Sequence, residues 1–290
     1  MIVRNMSYYN RFIIQRKLKE FIEEDCNFTD ISSISIPSTT ETTAKILAKS
    51  AGYISGLDEL KLIFEMLDVS TDLKKNDGDA FQKEDIITTL KGNAKNILLG
   101  ERVCLNLITH MSAITSTTRK FVELIKQSGK SVKIACTRKT TPGLRIFEKK
   151  AVELGHGDSH RFSLDDMVLL KDTHLRYYKG DIEKLLVDIR KKVSFSKKIE
   201  VEVEKVEDVL IAAKNGADIV MLDNFSPTGV EKCINLLKKH NFRDKVLIEV
   251  SGGINLENIA DYLISEPDVI SSSQLTQFPS EHVDFSLRFD

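Results

Sequence analysis

A chain of 290 residues with 41% hydrophobic and 29% charged residues can bury a sizeable core and has the composition of an ordinary soluble globular protein. Its formal net charge of −1 excludes recruitment of nucleic acid or an anionic membrane by an overall positive field, so we predict neither as a partner. The cysteines form no C-x-x-C pair, and the chain shows neither a signal peptide nor an uninterrupted apolar run of membrane-spanning length. We therefore expect reduced thiols and a cytoplasmic protein.

The first part of the chain, to about residue 110, mixes helical and strand-like patterns. Apolar residues recur at helical spacing over 11–25 and 58–68, whereas residues 41–56 alternate like a strand that stops at a glycine. Residues 70–85 are polar and turn-rich, which predicts an exposed loop or a hairpin. Helical spacing resumes over 100–129 and predicts a pair of helices or a bent one. We place a domain boundary within this last segment.

Beyond residue 130 the pattern changes to short apolar runs separated by amphipathic segments, which is typical of βα units around a parallel sheet. The predicted strands are VKIAC (132–136), MVLL (167–170), IEVEV (199–203), ADIVML (217–222), KVLIEV (245–250) and DVISS (268–272). Such a set suits an incomplete α/β barrel, and an open doubly wound sheet is the alternative. The dinucleotide-binding form of that alternative is disfavoured, because no G-x-G-x-x-G segment opens a helix.

Ionisable or glycine-rich residues follow almost every predicted strand, at the end where parallel barrels place their active sites. These residues are Arg138 and Lys139, Lys171 with Asp172 and His174, Asp223 and Asn224, and Ser251 to Ile254. Within the third strand, Glu200 and Glu202 alternate so that both point to one face. His160 and Arg161 follow a glycine-rich turn and add two potential cations. Surface charge placed by chance would not gather at one end of a sheet.

Each of these features also has an ordinary structural interpretation. The adjacent cations at 138–139 could be solvated loop residues, and Lys171 could extend its ammonium group to solvent. Asp223 could cap the next helix, although Ser226 lies closer to the start of that helix. Glu202 is harder to explain in this way, because a carboxylate inside an apolar strand is costly unless a cation or metal compensates it.

The positive residues would share one pocket if the strand ends meet. They are Arg138, Lys139, His160, Arg161 and Lys171. Several cations in one pocket indicate a substrate with several negative charges, such as a dicarboxylate, a phosphate or both. Glu202 and Asp223 cannot bind those anions and instead suit ribose hydroxyls, a developing positive charge, or Mg²⁺ carried by a diphosphate. The Ser-Gly-Gly turn at 251–253 offers backbone N–H groups to a phosphate.

Four segments resemble the quinolinate phosphoribosyltransferase family, also called nicotinate-nucleotide pyrophosphorylase. They are TRKTTPGLR (137–145), HRFSLDDMVLLKDTH (160–174), EVEVEKVEDVLIAAKNGADIVMLDN (200–224) and IEVSGGINLENI (248–259). The resemblance implies an α/β fold with an N-terminal α/β sandwich domain and an incomplete, open α/β barrel of the type II phosphoribosyltransferase kind. We place the sandwich domain at 1–110, with 276–290 returning to it, and the barrel with the active site at 111–275.

The resemblance also implies a reaction and its partners. The expected reaction transfers the phosphoribosyl group of 5-phosphoribosyl-1-diphosphate to quinolinate with decarboxylation, giving nicotinate mononucleotide, diphosphate and CO₂ in NAD biosynthesis. Mg²⁺ would accompany the phosphoribosyl donor, and no organic cofactor is expected. The family forms homodimers with sites at the subunit interface, and a higher oligomer is compatible with this arrangement.

Site roles follow from the family motifs, residue by residue. Arg138, Lys139, His160, Arg161 and Lys171 would line the quinolinate and diphosphate pocket, and Arg102 would reach in from the partner subunit. Lys171, Glu202 and Asp223 would be catalytic, with Glu202 and Asp223 holding the ribose and its metal, directly or indirectly. Ser251, Gly252, Gly253 and Ser273 would bind phosphate.

This chain departs from the family pattern in two motifs. Thr173 replaces the asparagine of the usual KDNH, and SSSQLTQ replaces S-x-G-A-L-T-H, so that Ser273 stands for a glycine and Gln277 for a histidine. We expect these changes to affect donor affinity. Two alternatives therefore remain: a relative of the molybdenum-transport-associated type with altered or no transferase activity, and a barrel lyase that forms a Schiff base at Lys171.

Overall fold

The structure is a computed structural model that describes residues 10–290. The chain forms two compact units. The first comprises residues up to 117 together with 142–155 and 279–290, and the second comprises 118–141 and 156–278. Residues 142–155, which we assigned to the barrel domain from the sequence, therefore group with the first unit.

The helices and strands are numbered separately along the chain. The α-helices are α1 (Arg11–Asp25), α2 (Leu57–Met66), α3 (Ala94–Gln127), α4 (Arg145–Leu154), α5 (Asp172–Tyr177), α6 (Ile182–Arg190), α7 (Val206–Lys214), α8 (Pro227–Lys239) and α9 (Ile259–Leu263). The strands are β1 (Glu41–Ala48), β2 (Gly52–Tyr53), β3 (Ser70–Leu73), β4 (Ala80–Phe81), β5 (Ile86–Asn93), β6 (Lys133–Ala135), β7 (Val168–Leu170), β8 (Ile199–Val203), β9 (Ile219–Asp223), β10 (Leu247–Ser251), β11 (Val269–Ser271) and β12 (Phe285–Phe289).

The first unit contains a four-stranded antiparallel sheet with the strand order β12-β1-β5-β3. Along β1, Ala44, Ile46 and Ala48 are fully buried and alternate with less buried residues, as expected for a strand that covers a core on one face. Strand β12 pairs with β1 from Phe285 to Phe289, so the end of the chain completes this sheet.

The second unit contains a six-stranded parallel sheet with the order β6-β11-β10-β9-β8-β7. Helices alternate with the strands along the chain, as an incomplete α/β barrel requires. In β8, Ile199, Val201 and Val203 are buried on one face, while Glu200 and Glu202 occupy the other. The acids therefore lie on the inner face of the sheet, where barrels build their sites.

A short segment before His160 extends the sheet beyond edge strand β6. Asp158 forms a parallel bridge with Ala135: its N–H donates to the carbonyl of Ile134 at 2.8 Å, and its carbonyl accepts from the N–H of Cys136 at 3.0 Å. The chain is thus fixed to the sheet edge immediately before His160 and Arg161, which sets where these two residues can reach.

The predicted strands of the barrel and the helices between them are confirmed, with end shifts of a few residues. Two predictions for the first part change. Helix α3 is one continuous helix of 34 residues rather than a pair, and the turn-rich segment 70–85 contains strands β3 and β4. Helix α3 also contains an 18-residue window that is apolar enough to cross a membrane by length and composition, but 61% of that window is buried inside the protein. Such burial is typical of the core helix of a soluble protein.

Candidate active site

The polar residues predicted at the strand ends share one face of the parallel sheet. Glu202 of β8 is in register with Met221 of β9, which is in register with Glu249 of β10. Two residues further along β9 and β10, Asp223 is in register with Ser251. Because residues in register on neighbouring strands point to the same side, these acids and the serine line the same surface.

Lys171 follows β7 directly and is held by an acid of the neighbouring strand. Its Nζ lies 3.0 Å from Oε1 of Glu202, with 46% of the lysine side chain and 13% of the glutamate side chain exposed. Burial raises the pKa of Glu202, the hydrogen bond from Lys171 opposes this rise, and the charges of Asp223 and Asp172 add to it. The backbone N–H of Lys171 donates to Nδ1 of His174 at 3.0 Å, which fixes the start of α5.

Arg138 and Arg161 are close enough to repel each other. Arg161 is 8% exposed, and its pKa is lowered by burial and by the charge of Arg138, whereas Glu200 and Glu202 oppose this change. Arg138 is half-buried, and its Nε is buried without a hydrogen-bond partner among residues 10–290. An unsatisfied buried N–H is costly, and two neighbouring guanidinium groups are stabilised by an anion placed between them. The arrangement therefore suits an anion bound by both guanidinium groups.

Lys139 and Arg102 have different surroundings from the two arginines. Lys139 is exposed, and its carbonyl oxygen accepts a hydrogen bond at 2.8 Å from the hydroxyl of Thr276. Arg102 lies on α3 in the first unit with 63% of its side chain exposed, and the carboxylate of Glu101 is 3.9 Å away. Its predicted role at a site in the partner subunit remains a prediction.

The turn after β10, residues Ser251, Gly252 and Gly253, is called the glycine loop below. Gly252 and Gly253 have φ values of +98° and +64°. A Cβ on Gly252 would lie 2.3 Å from Oδ1 and 2.8 Å from the backbone N of Asn224, whereas a Cβ on Gly253 would meet nothing within 4 Å. Glycine at 252 is therefore required by both space and conformation, while at 253 only the conformation requires it. The open space over Gly253 leaves its backbone accessible to a ligand.

The turn after β11 is fastened to the residues that follow the glycine loop. The hydroxyl of Ser272 donates to the carbonyl of Ile254 at 2.5 Å, and Oε1 of Gln274 accepts from the N–H of Leu256 at 3.2 Å. Ser273, between these two anchors, begins a 3₁₀ turn at 273–275. The structure therefore brings the predicted phosphate-binding residues together on two neighbouring loops.

Three buried groups that the sequence analysis did not connect lie on the inner side of the sheet. Nε2 of His160 is 2.8 Å from Oε2 of Glu249 and 3.6 Å from Oε2 of Glu200, and both glutamates are almost completely buried. Burial raises the pKa of Glu200 well above its ordinary value, and the charge of Glu249 adds to this rise, because ionising both carboxyls would place like charges close together. The signal for Glu249 was present in the sequence: an acid inside the apolar run KVLIEV is as unusual as Glu202.

Asp223 is not needed to cap a helix and is available at the site. Ser226 caps α8 by accepting from the N–H of Gly229, while Oδ2 of Asp223 accepts from Nδ2 of Asn224 at 2.8 Å. Asp223 and Glu202 stand at the ends of adjacent strands and offer carboxylate oxygens, the ligands that Mg²⁺ prefers. The donor set therefore fits the expected metal. The site as a whole can bind a polyanion on one side and stabilise positive charge on the other.

Two family profiles match almost the whole chain: the N-terminal domain of quinolinate phosphoribosyl transferase over residues 28–112 and its C-terminal domain over 114–288. A probable nicotinate-nucleotide pyrophosphorylase (carboxylating) of Archaeoglobus fulgidus is 42% identical over 250 residues, which cover 86% of this chain and 95% of that protein. The nicotinate-nucleotide pyrophosphorylase (carboxylating) of Rattus norvegicus is 34% identical over 268 residues, with 92% and 88% covered.

Solved structures agree with the sequence comparisons. The nicotinate-nucleotide pyrophosphorylase of Francisella tularensis superimposes with a TM-score of 0.89 at 32% identity, and the superposition covers 97% of this chain and 98% of that one.

Proposed function

The chain belongs to the quinolinate phosphoribosyltransferase family, and we propose that it transfers the phosphoribosyl group of 5-phosphoribosyl-1-diphosphate to quinolinate with decarboxylation. The products are nicotinate mononucleotide, diphosphate and CO₂, and the product serves NAD biosynthesis. The word carboxylating in the relatives' names refers to the reverse reaction, in which nicotinate mononucleotide gains CO₂. The proposal is carried by one observation: Arg138 and Arg161 are close enough to repel each other, and the buried Nε–H of Arg138 has no hydrogen-bond partner within residues 10–290. The adjacent strands β8 and β9 present Glu202 and Asp223.

The acceptor suits the arginine side of the site. Quinolinate carries carboxylates on adjacent ring carbons, so its pocket needs at least two cations held close together. Arg138 and Arg161 are held in this way, and a guanidinium group can bind each carboxylate through two parallel hydrogen bonds. Lys171 and the exposed Lys139 add positive charge at the rim, where the diphosphate of the donor would lie.

The phosphoribosyl donor suits the side of the site opposite the two arginines. The accessible backbone of the glycine loop would bind its 5-phosphate through N–H groups, and Ser273 on the neighbouring turn would add a hydroxyl. Asp223 stands at the end of β9, next to the glycine loop, where a carboxylate can accept hydrogen bonds from the ribose hydroxyls. In this proposal, the ribose would lie between the phosphate site and the arginines.

The reaction then proceeds by charge separation at the ribose. The bond from C1 of the ribose to the diphosphate oxygen breaks, the electron pair leaves with the diphosphate, and C1 becomes positive. Glu202 and Asp223 stabilise that charge, while Lys171 neutralises the leaving group. The lone pair of the quinolinate nitrogen forms the new bond to C1. The carboxylate next to that nitrogen leaves as CO₂, and its electron pair, held beside the positive nitrogen, takes a proton from solvent.

We propose that Mg²⁺ enters with the donor and that Glu202 and Asp223 hold it, directly or through water. When bound, it neutralises negative charge on the diphosphate. We expect no organic cofactor, because the bond changes involve only the two substrates and one proton from solvent.

The alternatives have less support from the geometry. Lys171 is paired with Glu202 at 3.0 Å, an arrangement that serves a charged ammonium group rather than the neutral amine that Schiff-base chemistry needs. A relative of the molybdenum-transport-associated type would bind ligand without releasing diphosphate. Titration of quinolinate and of the donor, each followed by a diphosphate assay, separates this possibility from catalysis.

The test is formation of nicotinate mononucleotide from the two substrates with Mg²⁺, compared between the unmodified protein and Arg138→Ala. We expect the substitution to raise the KM for quinolinate by about a hundredfold, since it removes a charge-assisted bidentate contact, with little change in thermal stability. Arg288→Ala, which removes the same charge from an exposed position on β12, is the matched control and should behave like the unmodified protein. Equal losses of stability and activity in Arg138→Ala would count against a binding role.

We further propose a cytoplasmic homodimer in which the partner subunit's Arg102 completes each site. The exposure of Arg102 and its long 3.9 Å separation from Glu101 leave its guanidinium group available for such a contact. The family's dimeric arrangement is what suggests the partner.

A further inference from the structure

His160, Glu200 and Glu249 form a buried group, here called the floor cluster, to which the proposed reaction assigns no step. Their three ligand-type atoms lie within 4.8 Å of one another. His160 comes from the loop after the Asp158 bridge, and Glu249 and Glu200 come from β10 and β8. The cluster therefore connects the loop that carries Arg161 to two strands of the sheet.

A metal ion is the first ligand that such residue types suggest, but the hydrogen bonds of His160 oppose it. The backbone N–H of Arg161 donates to Nδ1 of His160 at 2.7 Å. An imidazole nitrogen that accepts a hydrogen bond carries no proton, so in the neutral ring the proton must lie on Nε2. Nε2–H points to Oε2 of Glu249 at 2.8 Å. Nε2 therefore has no lone pair for a metal, and hydrogen bonds rather than a metal ion hold His160 in the cluster.

Both ring nitrogens of His160 thus form hydrogen bonds within the protein. Its backbone N–H is also bonded and donates to Oδ1 of Asp158 at 2.8 Å. His160 has a φ of +51°, a left-handed conformation that a residue with a side chain adopts only when its surroundings hold it there. Among the hydrogen bonds of His160 itself, only the one to Glu249 reaches a distant part of the chain, 89 positions away. Asp158 fixes the backbone before His160 to the sheet edge, but the orientation of the imidazole ring depends on Glu249.

We infer that Glu249 is a positioning residue for the acceptor site: by accepting from Nε2–H it fixes the tautomer and orientation of His160, whose Nδ1 in turn fixes the backbone of Arg161 beside Arg138. The inference rests on the proposed function at one point: it takes quinolinate as the anion that the two arginines bind. His160 then acts as a neutral spacer between Glu249 and Arg161, rather than as one of the cations expected from the sequence.

Substitutions at position 249 separate a positioning role from a general need for an acid. Glu249→Gln keeps an acceptor oxygen for Nε2–H, and its amide can donate to the carboxylate of Glu200, whose oxygens have no hydrogen-bond partner within residues 10–290. Glu249→Leu removes both. We expect Glu249→Leu to raise the KM for quinolinate by about tenfold or more, the value of one lost charge-assisted hydrogen bond, and to change the KM for the donor by less than about twofold. Glu249→Gln should restore the KM for quinolinate to within about threefold of the unmodified protein.

A double-mutant cycle tests whether Glu249 acts through His160. In a His160→Gln background, Glu249→Leu should add less than about a twofold change, because the connection is already broken. Full additivity of the two substitutions would overturn the inference. Glu231→Leu, the same substitution at an exposed position on α8, is the matched control and should leave both KM values unchanged.

The tautomer itself can be observed without any assay of activity. In ¹⁵N spectra of histidine side chains, with His160 assigned from its substitution, the unmodified protein should show a protonated Nε2 and an unprotonated Nδ1. The opposite tautomer, or a shift of the Nε2 signal on addition of Zn²⁺, would overturn the inference even if Glu249→Leu fails to fold. If instead the spectrum is as expected but no nicotinate mononucleotide forms, the proposed function fails while the positioning of His160 stands.

Discussion

Asp77 is a carboxylate that the first unit buries without satisfying it fully. Its side chain is 11% exposed, and its Oδ1 accepts from the N–H of Leu57 at 2.9 Å. Its Oδ2 has no hydrogen-bond partner within residues 10–290 and lies 3.8 Å from Nζ of Lys150. Burial raises the pKa of Asp77 to about 6; the charges of Glu59 and Asp58 act in the same direction, whereas Lys150 and the Leu57 hydrogen bond oppose it.

Asp77→Asn should therefore gain stability over the unmodified protein as the pH rises. With a raised pKa the folded state binds the proton more tightly than the unfolded chain does, so this stabilisation is complete below the unfolded pKa and is lost as the pH rises through the folded pKa. The rise from 3.8 to about 6 corresponds to about 3 kcal/mol. Roughly 2 kcal/mol of this falls between about pH 4.5 and about pH 7.5. Asparagine does not titrate, and its side-chain oxygen can still accept from Leu57.

The assay is urea unfolding of both proteins at these two pH values, followed by circular dichroism because the chain contains no tryptophan. The quantity compared is the difference in the free energy of unfolding between variant and unmodified protein. Asp72→Asn, at a carboxylate with 68% of its side chain exposed in the same unit, is the control and should show no such pH dependence. A difference that stays constant with pH, or a carboxyl ¹³C titration of Asp77 with a pKa below 4.5, would refute the reasoning.

Two further predictions concern the active site. Gly252→Ala should raise the KM for the phosphoribosyl donor far more than Gly253→Ala does, because only the first places a Cβ against Asn224, at 2.3 Å; similar effects in steady-state kinetics would contradict a steric cause. Arg102→Ala and Arg138→Ala should each be nearly inactive at quinolinate concentrations far below their raised KM, and mixing them should restore about a quarter of full activity after subunit exchange, because half of randomly paired dimers carry one intact site. If mixing restores no activity although mass spectrometry detects mixed dimers, Arg102 does not act across the interface.

Much of the second unit could be predicted from the sequence because its pattern is local. A strand buried on both faces in a parallel sheet reads as a short apolar run, and each predicted run became a strand. The acids of IEVEV could likewise be assigned to the inner face, since alternation alone decides which side a strand residue occupies. The position of Lys171 at the end of β7 followed from the same argument.

What the sequence could not supply is the partner of each polar side chain. Lys150 lies in a helix that reads as amphipathic, yet it is 3% exposed and bonds both oxygens of Glu59, 91 positions earlier in the chain, at 2.8 Å. Because of such distant contacts, helix α4 groups with the first unit although it follows β6 in the chain. The contact between Nε2 of His160 and Oε2 of Glu249 at 2.8 Å could not be predicted for the same reason, because only the folded sheet brings the two residues together.

The acids beneath the arginines also affect how strongly the site attracts an anion. Burial and repulsion by Arg138 lower the pKa of Arg161, and the charges of Glu200 and Glu202 oppose this effect. Burial and the charge of Glu249 raise the pKa of Glu200, so this acid takes up a proton more readily than an exposed glutamate does. A glutamate that takes up a proton more readily offsets less of the positive charge of the arginines, and more of that charge is left for an anionic ligand.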